Sequence, residues 1–385
     1  MLDFVYNIRT KIHFGRDVLN QLPGEIRNHG SRVLFIYGGG SIRRTGLYDQ
    51  VCRLLAGNEI YNVELAGVQP NPRLSTVHKG VDLCRQHNLD FVLAVGGGSV
   101  IDCAKAIAAG VLYQGDPWDF CLGKEPLAAL PVGSILTLAA TGSEMNGNSV
   151  ITNEATREKF HMGGLALVPV FSLLDPTLTF SVPPWHTAAG VCDIFSHLCE
   201  NYFTPEKDTF VPDRIAEGLF KTCVHYGPIA LREPENYEAR AAIMWAGSLA
   251  LNGLTRFGKS GDWATHAMEH ALSAVYDVTH GAGLAALTPF WMEYVLREEN
   301  LWRFLEFARN VWGLDGPDTR ETAARGIEAM RRFFKSLGMP SRLSELGAEP
   351  RALDDLVCKT MVAPVIGGLV RLNADDVRSI FQHAM

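Results

Sequence analysis

No stretch of this 385-residue chain is apolar for long enough to cross a bilayer. The longest apolar runs, near 91–95 and 163–171, fall well short of the roughly 20 residues a spanning helix needs. The start, MLDFVYNIRTKIHFG, lacks the apolar centre of a signal peptide, so a cytoplasmic protein with no membrane partner is expected. The eight cysteines (Cys52, Cys84, Cys103, Cys121, Cys192, Cys199, Cys223 and Cys358) form no CxxC pair and sit mostly in apolar runs. That argues against a zinc knot or a disulfide framework and leaves them as buried thiols. No basic run interleaves with aromatics, and the net charge of −7 is spread along the chain, which argues against nucleic acid as a partner. Internal repeats and low-complexity tracts are missing too. With 47% apolar and 20% charged residues the chain is far from disorder, and its length exceeds what one core usually serves, so two packed domains are expected.

Residues 1–183 alternate short β-rich runs with helical segments, the rhythm of βαβ units and a parallel Rossmann-like sheet. Candidate strands are Arg32–Tyr37, Ile60–Glu64, Phe91–Val95 and Ser134–Leu138, and Val77, Val81 and Cys84 mark a helix between the second and third. The segment 152–168, with Gly163-Gly164, reads as a hairpin-like excursion. At Ser181-Val182-Pro183-Pro184 the rhythm changes, because consecutive prolines interrupt regular structure. Beyond that joint, residues 184–385 read as an all-helical domain with little buried charge apart from one histidine cluster; Ile327, Met330, Phe334 and Leu337 draw one apolar stripe in it.

Two glycine loops stand at predicted strand-to-helix turns: Gly38-Gly39-Gly40-Ser41 and Gly96-Gly97-Gly98-Ser99. Glycines there let backbone N–H groups and a helix N-terminus approach an anion such as a pyrophosphate, although a plain tight turn needs the same residues. Neither loop is GxGxxG, so a standard Rossmann binding mode is not implied. A third polar cluster, Thr137 to Asn146, offers hydroxyls for a phosphate or ribose, or simply caps a helix start.

Asp193 and His197 are four apart on a predicted helix and project from one face. His266 and His270 repeat that spacing, and His280 follows. One unbroken helix would hold His266 and His280 about 21 Å apart, too far for a single ion with bonds of about 2 Å. The chain must therefore turn between them if both serve one site, and the run Val275–Thr279 before Gly281 permits it. A carboxylate with two or three imidazoles suits Fe²⁺ or Zn²⁺ better than Ca²⁺ or Mg²⁺. His13, His29, His78, His87 and His383 belong to no such arrangement and read as surface or hydrogen-bonded residues.

Taken together, VGGGSVIDCAK (95–105), ATGSEMN (140–146), the G-x-x-D-x-x-x-H of Gly190–His197 and the spacing of His266, His270 and His280 resemble the iron-containing alcohol dehydrogenases of the dehydroquinate synthase-like superfamily. The resemblance runs over nearly the whole chain. It implies metal ligands at Asp193, His197, His266 and His280, with His270 lining the site as a candidate proton donor. It implies cofactor contacts at Gly97, Gly98, Ser99, Asp102, Asn71, Thr137, Thr141 and Lys159, beside the Gly38–Ser41 loop. Leu136, Leu138 and Ala140 depart from the common P-T-T-A-G-T-G-S-E pattern and look like the butanol dehydrogenase branch. NAD-preferring relatives place an Asp where this chain has Gly39; its absence, with Arg43 and Arg44 nearby, favours NADP(H) over NAD(H). The expectation is a homodimer, with Leu2–Ile12 free to pair with another chain, that reduces aldehydes or oxidises primary alcohols such as butanol. The alternatives are a metal-dependent lyase of the dehydroquinate synthase type and a silent metal- or nucleotide-binding protein. Phe257, Trp263 and Tyr276 are candidate apolar walls.

Overall fold

A computed structural model describes residues Met1 to Met385 and divides into two compact units. One comprises 7–182 with 235–244; the other comprises 1–6, 183–234 and 245–385. The joint at Val182-Pro183 lies within the proline signal, whereas the two short exchanges, 1–6 and 235–244, carry no sequence signature.

In the first unit, strands β1 (Lys11–Phe14), β2 (Arg32–Gly38), β3 (Tyr61–Val68), β4 (Phe91–Gly96), β5 (Val132–Leu136) and β8 (Phe171–Leu174) form a wholly parallel sheet in the order β1-β8-β5-β4-β2-β3. Strand β4, FVLAVG, is buried at every position, as a strand covered on both faces must be. Helices α1 (Leu22–Arg27), α2 (Ser41–Arg44) and α3 (Leu47–Gly57) pack on the face that carries Val33, Phe35 and Tyr37. Helices α4 (Leu74–His87), α5 (Gly98–Leu112) and α6 (Trp118–Cys121) cover the face of Leu34 and Ile36. From β2 the chain moves outward to β3, but from β4 it moves the other way to β5. The loops after β2 and β4 thus leave neighbouring strands toward opposite faces, which opens a crevice at the carboxyl edge of the sheet. Strands β6 (Asn148–Asn153) and β7 (Glu158–Gly163) pair antiparallel as the expected hairpin, which begins four residues earlier than its sequence signal.

In the second unit all regular structure is helical: α7 (Pro184–Tyr202), α8 (Phe210–Arg232), the part of α9 (Tyr237–Leu251) from Trp245 onward, α10 (Ala264–Tyr276), α11 (His280–Val295), α12 (Leu301–Glu306), α13 (Arg320–Ser336), α14 (Leu353–Thr360) and α15 (Ala374–Ala384). Pro184 occupies the first turn of α7, where its missing N–H costs nothing. From Thr187 to Tyr202 every residue of α7 is buried, so it is the axis of the unit. Phe195 on α7 meets Phe220, Phe333 and Phe334 at ring separations of 4.5–5.7 Å, which is where the α13 stripe docks.

The expectation of little buried charge outside the histidine cluster is wrong. Asp213, Lys259 and Arg303 are all buried, with Lys259 Nζ 2.8 Å and an Arg303 nitrogen 2.7 Å from the Asp213 carboxylate. Mutual pairing is what lets these charges leave water, and the two cations hold the Asp213 carboxyl below its usual range against the upward pull of burial. All eight cysteines are free; five are buried, Cys52 and Cys121 are half-buried, and Cys358 is exposed. No helix is long and apolar enough to cross a membrane. The segment 2–12 finds partners within the chain: Leu2 N–H donates to Gly258 O, Phe4 and Tyr6 pack on Phe257, and β1 pairs with β8.

Candidate metal and dinucleotide sites

Three helices of the second unit carry the four expected ligands. Asp193 and His197 stand one turn apart on α7, both buried. His266 lies on the first turn of α10, and His280 opens α11. The turn that the spacing demands is present: α10 stops at Tyr276, and Asp277 adopts a left-handed conformation (φ 52°) that redirects the chain. Helix α11 then crosses α7 at very close range, because a Cβ on Gly281 would lie 1.9 Å from Ala189 O.

One ligand atom each from Asp193, His266 and His280 lie within 4.8 Å of one another, close to the span of one ion with bonds of about 2 Å. His280 Nε2 is 3.6 Å from Asp193 Oδ1. His197 stacks on His266 with ring centroids 4.7 Å apart and places Nδ1 3.5 Å from Asp193 Oδ1. His270 is half-buried, its ring 5.7 Å from that of His280. A second trio, Glu269, His270 and His280, meets the same distance criterion, but Glu269 is already bonded to the Nδ1 of His280.

Two carboxylates that sequence reasoning missed give the cluster its chemistry. Glu200, one further turn along α7, accepts a 2.8 Å hydrogen bond from His266 Nδ1 and also binds the backbone N–H groups of His266 and Trp263. A carboxylate can only accept, so His266 carries a proton on Nδ1 and turns Nε2 the other way, the atom left to ligate an ion. That buried Nε2, like the buried Nδ1 of His197, has no hydrogen-bond partner in the protein. Glu269 orients His280 in the same way and leaves its Nε2 toward Asp193. Burial, with the neighbouring His266 and His280 imidazoles acting in the same direction, holds His197 well below the ordinary imidazole range. Two imidazoles, His266 and His280, each backed by an outer carboxylate and facing Asp193, with the buried His197 beside them, fit a divalent Fe²⁺ or Zn²⁺. The available signal was positional: Glu200 and Glu269 each lie three residues beyond a candidate ligand on its own helix. Glu200→Gln is expected to weaken metal binding by about 10–100-fold, measurable by competition with a chromogenic chelator; unchanged affinity would remove Glu200 from this role.

Of the candidate walls, Trp263 packs its ring 5.4 Å from that of His266 and sits in a left-handed conformation (φ 69°). Phe257 is instead covered by Phe4 and Tyr6, and the Tyr276 hydroxyl accepts from Glu349 N–H. Among the unassigned histidines, His13 pairs with Glu25, His78 with Asp116, His87 with Tyr61 and His383 with a backbone carbonyl, while His29 is exposed.

The residues matched to cofactor contacts gather along the carboxyl edge of the sheet in the first unit. The Gly38–Ser41 turn leaves β2, Asn71 follows β3 in a left-handed conformation (φ 50°), Gly97, Gly98 and Ser99 leave β4, and Thr137 follows β5. Helix α5 is fifteen residues long and no side chain caps its N-terminus, which fits a pyrophosphate; α2, with four residues, has little dipole to offer. Gly98 is also required for packing, since a Cβ would meet Thr141 Oγ1 at 2.3 Å, whereas a Cβ on Gly39 would meet nothing within 4 Å. Asp102 lies deeper: Ser143 Oγ (2.6 Å) and Val150 N–H (3.0 Å) occupy its two carboxylate oxygens. Lys105, fully buried one turn on, donates to Ser143 Oγ and to the carbonyls of Asn146 and Asn148, all at 2.8 Å; burial lowers its pKa to about 8. Together they fasten the 141–150 segment to α5. Lys159 is buried on β7, near enough for its charge to act on Asp102.

A doubly wound parallel unit followed by an all-helical unit that carries a histidine–carboxylate cluster defines a class of two-unit proteins. Known proteins place the chain within that class. The pattern described as "Iron-containing alcohol dehydrogenase" matches residues 9–176, and "Fe-containing alcohol dehydrogenase family, C-terminal" matches residues 187–385. The chain belongs to the iron-containing alcohol dehydrogenase family. It is 49% identical to NADH-dependent butanol dehydrogenase B of Clostridium acetobutylicum over the full length of both. It is 41% identical to the NADPH-dependent aldehyde reductase of Escherichia coli over 93% of each chain. The crystal structure of NADH-dependent butanol dehydrogenase A from Thermotoga maritima superimposes with a TM-score of 0.97 at 42% identity, covering 100% of this chain and 99% of that one.

Proposed function

We propose that this protein is an alcohol dehydrogenase or aldehyde reductase that moves a hydride between a nicotinamide dinucleotide and a primary alcohol or aldehyde such as butanol or butanal. The observation that carries the reading is the cluster in which Glu200 and Glu269 occupy one nitrogen each of His266 and His280 and turn the other nitrogens inward, beside Asp193. Asp193, His197, His266 and His280 would hold Fe²⁺ or Zn²⁺. When bound, the ion supplies Lewis acidity toward the substrate oxygen and the dinucleotide supplies or takes the hydride.

The remaining work falls to side chains of this chain. Asp193 brings the one negative charge among the four ligands and so offsets part of the ion's charge. Glu200 and Glu269 fix the two imidazole tautomers. His270, half-buried and next to His280, is placed to exchange a proton between the substrate oxygen and water. Gly97, Gly98 and Ser99 receive the pyrophosphate at the N-terminus of α5, and the Gly38–Ser41 turn lies one strand away for the adenosine ribose. Asn71, Thr137, Thr141 and Lys159 complete the binding edge.

The preference for NADP(H) read from Arg43 and Arg44 is not supported. Arg43 is engaged with Tyr37 and Glu64, and the 49% identical relative is NADH-dependent by name. The test is to mix protein reconstituted with Fe²⁺ or Zn²⁺, reduced nicotinamide dinucleotide and butanal, and to follow the absorbance of the reduced nicotinamide. Steady oxidation that disappears on chelation is expected. No oxidation with any of a panel of aliphatic aldehydes would defeat the proposal, and consumption of substrate without net coenzyme turnover would point to a lyase.

A further inference from the structure

Beside the Gly38–Ser41 turn, four side chains of the α/β unit form a closed polar cluster with no part in the mechanism above. Glu64 lies on β3, opposite Phe35 of β2. Both its carboxylate oxygens are taken: Tyr37 donates to one at 2.8 Å and Tyr48 to the other at 2.6 Å. The Arg43 guanidinium sits 3.7 Å above the centroid of the Tyr48 ring, bonds to the Tyr37 hydroxyl and lies 3.3 Å from Glu64 Oε2. Tyr37 is buried, and its ring and that of Tyr48 pack on Phe35. The floor of the cluster is therefore rigid, while Arg43 and Glu64 keep exposed edges.

NAD(H) and NADP(H) differ only at the adenosine 2′ position, a hydroxyl in one and a phosphate dianion in the other. In a doubly wound sheet whose pyrophosphate lies on one strand's loop, the adenosine ribose falls at the end of the neighbouring strand. With the pyrophosphate after β4, that neighbour is β2, and the residues following its turn meet the 2′ group. Arg43 is the cation best tethered there. To pair with a 2′-phosphate it must leave a carboxylate, a phenol and an aromatic face. The Glu64 charge left behind would then repel the phosphate. Arg44 is exposed and about 100° further around the helix.

We propose that Glu64, with Tyr37 and Tyr48, is the coenzyme discriminator: by holding Arg43 it withholds the cation a 2′-phosphate requires and selects NAD(H). The inference rests on the dinucleotide reading above and adds to it the residues that set its specificity.

The experiment is a binding titration of the metal-loaded full chain with NADH and with NADPH, followed by nicotinamide fluorescence, so no turnover is needed. The wild type is expected to bind NADH more tightly. Glu64→Gln keeps the shape of the side chain and removes its charge; it should tighten NADPH binding about tenfold while NADH changes by less than about twofold. Adding Arg43→Ala should cancel that gain, and adding Arg44→Ala should leave it intact. Arg43→Ala alone, at an exposed position, gives a variant that folds regardless and should leave NADH binding unchanged. An unaltered NADPH-to-NADH ratio in Glu64→Gln, a gain that survives loss of Arg43, or a wild type that prefers NADPH would each overturn the inference while leaving the dehydrogenase reading intact. Binding of neither coenzyme to the wild type would bring down the dehydrogenase reading itself, and this inference with it.

Discussion

Asp193→Ala and His280→Ala should each give a folded protein that no longer retains stoichiometric Fe²⁺ or Zn²⁺ and has lost activity by about three orders of magnitude. The size follows from what is removed: charge stabilisation worth several kcal/mol at the reacting oxygen corresponds to about 10³-fold in rate. The fold should survive because α7 is buried along almost its whole length and docks through Phe195 and its aromatic neighbours, not through the ligand cluster. Asp193 lies 3.5 Å from His197 and 3.6 Å from His280, so its removal leaves these imidazoles without the carboxylate that balances a bound cation. Elemental analysis of dialysed protein and thermal unfolding of the metal-free forms are the measurements. Stoichiometric metal in either variant would mean that the ligand set is wrong, and a collapsed unfolding transition would mean that the cluster is structural.

How much of this was legible beforehand depended on whether the signal was local. The parallel sheet and the all-helical unit were readable because β4 is continuously apolar and the α13 stripe keeps helical spacing, both of which depend on near neighbours. The turn before His280 was legible for a geometric reason, since helical rise alone forbids one ion from bridging His266 and His280. Strands β1 and β8 were missed because runs of four residues are too short to show a period, whether at the sheet edge like β1 or buried between neighbours like β8. Glu200 and Glu269 were missed because a buried carboxylate on an apolar helix looks like an ordinary polar position until its imidazole partner is brought across from another segment. The charge triad of Asp213, Lys259 and Arg303 escaped for the same cause: its members are up to 90 residues apart. Arg43 shows the reverse error: a cation near a glycine turn pointed to NADP(H) because its partner Glu64, on β3, is 21 residues away in sequence.

Gly281→Ala should damage the ligand cluster without touching a ligand. The added Cβ would stand 1.9 Å from Ala189 O and 2.6 Å from the Ala189 carbonyl carbon, and a helix backbone cannot give way as a flexible side chain can. Helices α7 and α11 must therefore move apart, at an overpacking cost of about 1–3 kcal/mol or more. Ala189 lies one turn before Asp193, and Gly281 adjoins His280, so the same displacement lengthens the 3.6 Å approach between those two residues. Metal affinity should fall at least about tenfold, as expected when ligands are held off their productive geometry, together with a lower unfolding midpoint. Gly24→Ala is the control, because it lies within α1 with nothing within 4 Å of its added Cβ; there the substitution should be neutral or raise stability by up to about 1 kcal/mol. If Gly281→Ala matched Gly24→Ala in both metal affinity and unfolding midpoint, the close crossing of α7 and α11 would not be what brings His280 to Asp193.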